Sequence, residues 1–176
     1  MTNILKKYVG TDKYFNIYTN VRDTSKFMYG KITAMDDYFF AASLVSPDGI
    51  FDGIVIMPQK SIIRIELSYE YQEKMKNLMC INKYTEEVFS ITSDDVLTSG
   101  LQTAQTAKRV VSIELLESGV SDIIGFVNTI EDGVCKLSQV DEYGRLNGES
   151  YVRVDDISYV GFSSCDERRI EQLVDR

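Results

Sequence analysis

The chain of 176 residues contains no histidine. Imidazole general bases, Ser-His-Asp and Cys-His catalysis, and nearly all zinc sites are excluded with it. Cysteine is scarce. Cys80, Cys135 and Cys165 are odd in number and scattered, and none forms a C-x-x-C pair. They read as structural free thiols, since free cysteine behaves as a small buried hydrophobe. The chain has no G-x-x-x-x-G-K-[ST], G-x-G-x-x-G or G-x-S-x-G motif, so phosphate-cradling loops and the hydrolase elbow have no support. Asp36/Asp37 and Asp155/Asp156 are adjacent carboxylate pairs. Neighbouring strand residues point to opposite faces, so these pairs suit turns and caps better than a metal clamp. No catalytic residue, metal or cofactor is expected.

Long apolar runs are also missing. No stretch of 18 apolar residues occurs, which excludes a membrane-spanning helix. The N-terminal MTNILKKYVG places no long apolar segment after its two lysines, so it does not read as a secretory signal. A cytoplasmic location is the resulting expectation. Proline occurs twice and apolar residues make up 44%, the balance of a folded globular protein. Charge is uneven. Residues 1–88 hold 11 basic and 11 acidic side chains, and residues 89–176 hold 8 and 16, which accounts for the net −8. Nucleic-acid binding rests on neutralising phosphates, so the acidic second half disfavours RNA there.

What the chain does have is a repeat. A shift of 95 residues lays Gly30 on Gly125, Gly49 on Gly144 and Gly53 on Gly148, with no gap from Phe15/Val110 to Met79/Val174. Nine identities fall between residues 30 and 79, where chance gives roughly three. Apolar positions match as well, among them Ile32/Val127, Met57/Val152 and Leu67/Phe162. Equal glycine spacing implies equal backbone geometry. The chain therefore reads as a first unit over 1–79, a linker over 80–104 and a second unit over 105–176.

Within the first unit, Asn3–Val9 reads as a short helix. Strands are expected at Tyr14–Val21, Phe27–Met35, Tyr38–Val45, Phe51–Met57 and Ile62–Leu67, with a helix over Glu70–Met79. Gly30 marks a bulge or a sharp bend. The second unit repeats the order with Val110–Leu116, Ile123–Thr129, Val134–Val140, Glu149–Val154, Ile157–Phe162 and a helix over Asp166–Val174. In the linker, Val88–Ile91 is apolar enough for an extra strand. The fold class is thus mainly β, with two tandem five-stranded small barrels, closed or nearly closed, each followed by a short helix.

Each unit resembles the Sm-like fold of the Sm, LSm and Hfq proteins. In the first unit the resemblance is carried by Phe15-x-Ile17, by Gly30, by Asp36 followed by Tyr38 and Phe40, and by Lys60 to Ile65. In the second it is carried by Gly125, by Glu131 and Asp132, and by Ile157 to Val160. The layout is also similar to uncharacterised Sm-like proteins of Gram-positive bacteria, which share the G-x-x-x-G hairpin and the closing helix. The family's base-holding turn pairs an aromatic ring with an asparagine. Here Tyr38 matches the ring but Phe40 takes the asparagine position, and the second unit has Gly133 and Cys135. The family's Arg-Gly becomes Arg64-Ile65 and Tyr159-Val160.

Two roles follow. The first is non-catalytic binding or assembly through barrel edge strands, as a homo-oligomer or with a protein partner, with three tandem chains supplying six barrels. The second is RNA binding through the first unit, with Tyr38, Lys60 and Arg64 as contacts. Lys6, Lys7 and Lys13 with Tyr8 and Tyr14 form the one basic-aromatic cluster. It suits RNA by charge and stacking, but a solvated helix face is the plainer account and the one expected.

Overall fold

The computed structural model describes residues 2–174. Met1 and residues 175–176, which close the second unit as drawn from the sequence, lie outside them. Ten strands form one antiparallel sheet. The first unit contributes β1 (Phe15–Tyr18), β2 (Met28–Met35), β3 (Phe39–Val45), β4 (Phe51–Pro58) and β5 (Arg64–Glu66). The second contributes β6 (Val110–Leu115), β7 (Ile123–Glu131), β8 (Val134–Val140), β9 (Leu146–Arg153) and β10 (Ile157–Phe162). The helices are α1 (Thr2–Leu5), α2 (Tyr69–Ile81), α3 (Val96–Thr106) and α4 (Cys165–Val174). Two strands per unit flank a short 3-10 turn, Gln59–Ser61 in the first and Val154–Asp156 in the second.

The order across the sheet is β5-β1-β2-β3-β4-β10-β6-β7-β8-β9. In each unit the fifth strand lies beside the first. The two sets of five strands are joined where β4 meets β10, so a single sheet runs through both units. The chain is mainly β, as expected, and its ten strands make one continuous sheet.

The repeat extends into fine detail. A register shift falls between Ile32 and Ala34 on β2 and again between Val127 and Thr129 on β7, which are equivalent positions. Gly30 itself pairs regularly with Leu44. A methyl group there would strike the Ser43 carbonyl, and one at Gly125 would strike the equivalent Ser138 carbonyl. Close strand approach, and not the bulge, demands glycine at this place. The hairpin glycines Gly49 (φ +76) and Gly144 (φ +75) press on α2 and α4. A Cβ would meet the Leu78 backbone at 2.7 Å and the Leu173 backbone at 2.6 Å.

The stretch 80–104 departs from the sequence reading. Val88–Ile91 forms no strand, and α3 occupies its second half. VLTSGLQTAQT has poor intrinsic helix propensity. What sustains it is an Asp95 cap accepting from Thr98 N at 3.0 Å, together with burial of Val96, Leu97, Gly100, Leu101 and Ala104 on one face. Gly100 lets the helix lie directly on Ile56. In the repeat α3 stands where α1 stands in the first unit, so each unit is a helix, five strands and a second helix.

Three clusters make the core. One holds Phe15, Ile17, Ile32, Phe40 and Val55 under Leu5 of α1. A small one holds Tyr29, Val45 and Met75 beneath α2. The largest spans the joint, with Ala41, Ile54 and Ile56 from the first unit, Ile113, Val160 and Phe162 from the second, and Leu97, Leu101 and Ala104 of α3 between them. Complete burial of Phe162 contributes about 2–3 kcal/mol, and this burial is shared across the unit boundary.

Cys135 is fully buried in that cluster, and burial pushes its thiol up to about 11. Cys80 is exposed. Thiol titration of the native protein at neutral pH is expected to modify Cys80 quickly, while Cys135 reacts only after unfolding. Equal rates for the two would mean that the Cys135 pocket opens readily.

Candidate functional site

The joint between the units has a defined construction. Val160, Gly161 and Phe162 on β10 face Ile56, Val55 and Ile54 on β4. Just before this run Gly53 takes φ +84, and a Cβ there would meet the Phe162 carbonyl oxygen and the Ser164 nitrogen, each at 2.5 Å. Polar groups seal the end of the joint. Arg168 donates to the Ser163 carbonyl at 2.7 Å and the Phe51 carbonyl at 3.0 Å, and Cys165 N donates to Asp52 at 3.3 Å. Burial raises the Asp52 carboxyl, against the lowering effect of the Cys165 amide and Arg168. Glu167 is buried but satisfied, accepting from Ser112 Oγ at 2.6 Å and Ser164 N at 2.9 Å.

The two outer strands of the sheet, β5 and β9, hold the equivalent places with one edge of each open. Shifted by 95 residues, Ile54, Val55 and Ile56 become Glu149, Ser150 and Tyr151 on β9, and Val160, Gly161 and Phe162 become Ile65 and Glu66 on β5 and Leu67 just after it. Gly148 keeps the left-handed backbone of Gly53, with φ +92, yet nothing lies within 4 Å of a Cβ built there. Tyr151 and Leu146 stand exposed on β9, and Ile63 and Leu67 are exposed beside β5. Arg64 and Glu66 on one edge and Glu149 and Arg153 on the other are charges of the kind that keep open edges from unselective pairing.

The residues nominated for RNA do not form one site. Tyr38 sits at the tip of the β2–β3 turn, exposed, with its carbonyl accepting from Gln59 N at 2.7 Å. Lys60 follows on the 3-10 turn, and its ammonium lies 2.8 Å from Glu117 of the second unit. Both line a groove of about 540 Å³. Arg64 is not among the lining residues. It stacks on Tyr18, 3.7 Å from the ring centroid, on the outer edge of the sheet. The basic-aromatic cluster is also partly engaged, with Lys6 paired to Asp37 at 3.0 Å and Lys13 over the Tyr8 ring.

Sequence reasoning missed the second unit's share of the groove. Leu116, Glu117, Asp155, Asp156 and Ile157 come from elements at least 78 residues from Tyr38 and at least 56 from Lys60. It also missed Asp36 as a latch. Its carboxylate accepts from Tyr38 N at 2.7 Å, Phe39 N at 2.6 Å and Val96 N at 2.7 Å, tying the turn to the start of α3. The turn role read from the Asp36/Asp37 pair was the available signal. Among the described residues, no group of three or more carboxylates and thiols converges to hold a metal ion, and no helix is long and apolar enough to cross a membrane. No family model, curated protein or solved structure matches the chain.

Proposed function

We propose that this protein is a non-catalytic assembly module made of two tandem Sm-like barrels, and that copies join head to tail by pairing β9 of one with β5 of the next. The single observation behind this reading is Gly148. It keeps the left-handed backbone that Gly53 uses to admit β10, which glycine adopts freely, but it faces open space. The space that β10 fills beside Gly53 is left free beside Gly148 for an incoming strand.

The repeat supplies the register. Ile65 of one copy would face Tyr151 of the next, Glu66 would face Ser150, and Leu67 would face Glu149, by transfer from the β4–β10 pairing. Head-to-tail contacts either close into a ring or run on as a filament. Three chains supplying six barrels make the expected ring.

RNA binding through Tyr38, Lys60 and Arg64 has weaker support, because Arg64 stands apart and the groove beside Tyr38 and Lys60 is rimmed by carboxylates. The assembly reading is tested by cross-linking. In a Cys80→Ser background, Ile65→Cys combined with Tyr151→Cys is expected to give a covalent ladder between chains, since facing antiparallel residues lie at disulfide distance. Ile65→Cys with Leu146→Cys is out of register and is expected to give none. A strict monomer by sedimentation at high concentration would remove the proposal.

A further inference from the structure

The groove between the units is apolar at its floor and acidic at its rim. Phe39, Pro58 and Ile157 supply the apolar surface, with the exposed Tyr38 and Leu116 at the mouth. Asp37, Glu117, Asp155 and Asp156 stand around it against two ammonium groups, Lys60 on Glu117 and Lys6 on Asp37. A second cavity of about 580 Å³ adjoins it, sharing Asp37, Tyr38, Phe39 and Asp155 and adding Asp94 and Asp95. The two together make a track longer than one side chain.

Leu116 is the unusual member. It and Glu117 both adopt left-handed backbone, with φ 52 and 57. Leucine pays a steric penalty there that glycine avoids. The conformation is held from the second unit's last turn, by Leu116 N donating to the Asp156 carbonyl at 2.9 Å and Glu117 N donating to Ser158 Oγ at 2.8 Å. Its result is an exposed leucine side chain at the mouth of an apolar groove. Strain of this kind collects at binding surfaces.

We propose that this groove docks a basic peptide segment of a protein partner, with an aliphatic or aromatic residue held between Leu116 and Tyr38 and arginine or lysine side chains at the carboxylate rim. Charge complementarity selects this occupant. Four carboxylates repel a phosphate backbone, whereas they attract and orient guanidinium groups. The Lys60–Glu117 pair is solvent-exposed, and pairs of that kind are weak enough to exchange partners. The groove lies within one chain, so the proposal does not rest on head-to-tail pairing.

The probe is a fluorescein-labelled peptide, Gly-Ser-Arg-Leu-Arg-Phe-Lys-Ser-Gly, titrated at low salt. Saturable binding is expected, weakening as salt rises, with amide shifts at Tyr38, Leu116 and Glu117. Leu116→Gly is expected to lower affinity about tenfold, a typical effect of removing an anchor, while the backbone there stays folded because glycine accepts this φ. Glu117→Lys with Asp155→Lys is expected to weaken binding at least as much. The proposal is overturned by equal binding of the same peptide with glutamates for its basic residues. It is also overturned if a U-rich oligonucleotide binds in the peptide's place, or if no saturable binding occurs at low salt. A chain that stays monomeric yet binds the peptide sinks the assembly reading alone.

Discussion

Gly53→Ala is expected to cost about 3 kcal/mol or more of stability, and Gly148→Ala only about 1 kcal/mol in the isolated chain. Both residues hold left-handed backbone, φ +84 and φ +92, so both substitutions carry the same conformational penalty of about 1–2 kcal/mol. They differ in what the new methyl meets. At Gly53 it drives into the Phe162 carbonyl and the Ser164 amide. These are backbone atoms that move only with β10, and such overpacking adds about 1–3 kcal/mol. At Gly148 the space is empty. Urea denaturation of the two variants measures the difference. Equal losses would show that β10 does not press on β4 as described. The assembly proposal adds a second expectation, because the Gly148→Ala methyl would meet the incoming β5. That variant should remain folded and lose its higher-order species.

Removing the Asp36 carboxylate is the other large change. Asp36→Ala is expected to cost about 3 kcal/mol, because hydrogen bonds to a charged group contribute about 1.5–3 kcal/mol each and do not add fully. Three backbone amides lose their acceptor at once, and two of them hold the Tyr38 turn. The third, Val96 N, opens α3, so damage spreads to the helix that bridges the units. The expected fall in Tm is about 6–12 °C for a chain of this size. Hydrogen exchange should rise across residues 93–106 more than across β6–β8. Asp36→Asn retains one acceptor oxygen and should recover about half of the loss. Unchanged protection of α3 in Asp36→Ala would show that its packing alone holds it.

The elements that could be read from the sequence share one property: their signals are local. Strand positions followed from runs such as FFAASLV and VCKLSQV, which the structure forms as Phe39–Val45 and Val134–Val140. The closing helices followed from apolar residues at helical spacing, and the turns from glycine chemistry. The bulge beyond Gly30 shows the limit. The glycine was legible, but its reason was the Ser43 carbonyl on another strand. Helix α3 was illegible for the same kind of cause, since its residues favour helix weakly and Ile56 and Phe162 supply the surface that stabilises it. Of the three nominated contacts, Tyr38 and Lys60 lie together because their turns are neighbours across β3 and β4. Arg64 was drawn to Tyr18 by a cation–π contact that spacing does not reveal.

By itself the sequence determined that the chain is two copies of one mainly β unit, because glycine spacing and apolar alternation are local constraints that duplication preserves. It also determined that imidazole chemistry is absent. Only the tertiary structure decided how the copies relate. Backbone hydrogen bonding is nearly indifferent to side-chain identity, so nothing in the residues of β4 or β10 names its partner strand. The choice depends on which strands the surrounding packing leaves adjacent, here beneath α3. The same indifference placed an acidic groove between the copies, where neither copy alone has one, and left Gly148 facing open space.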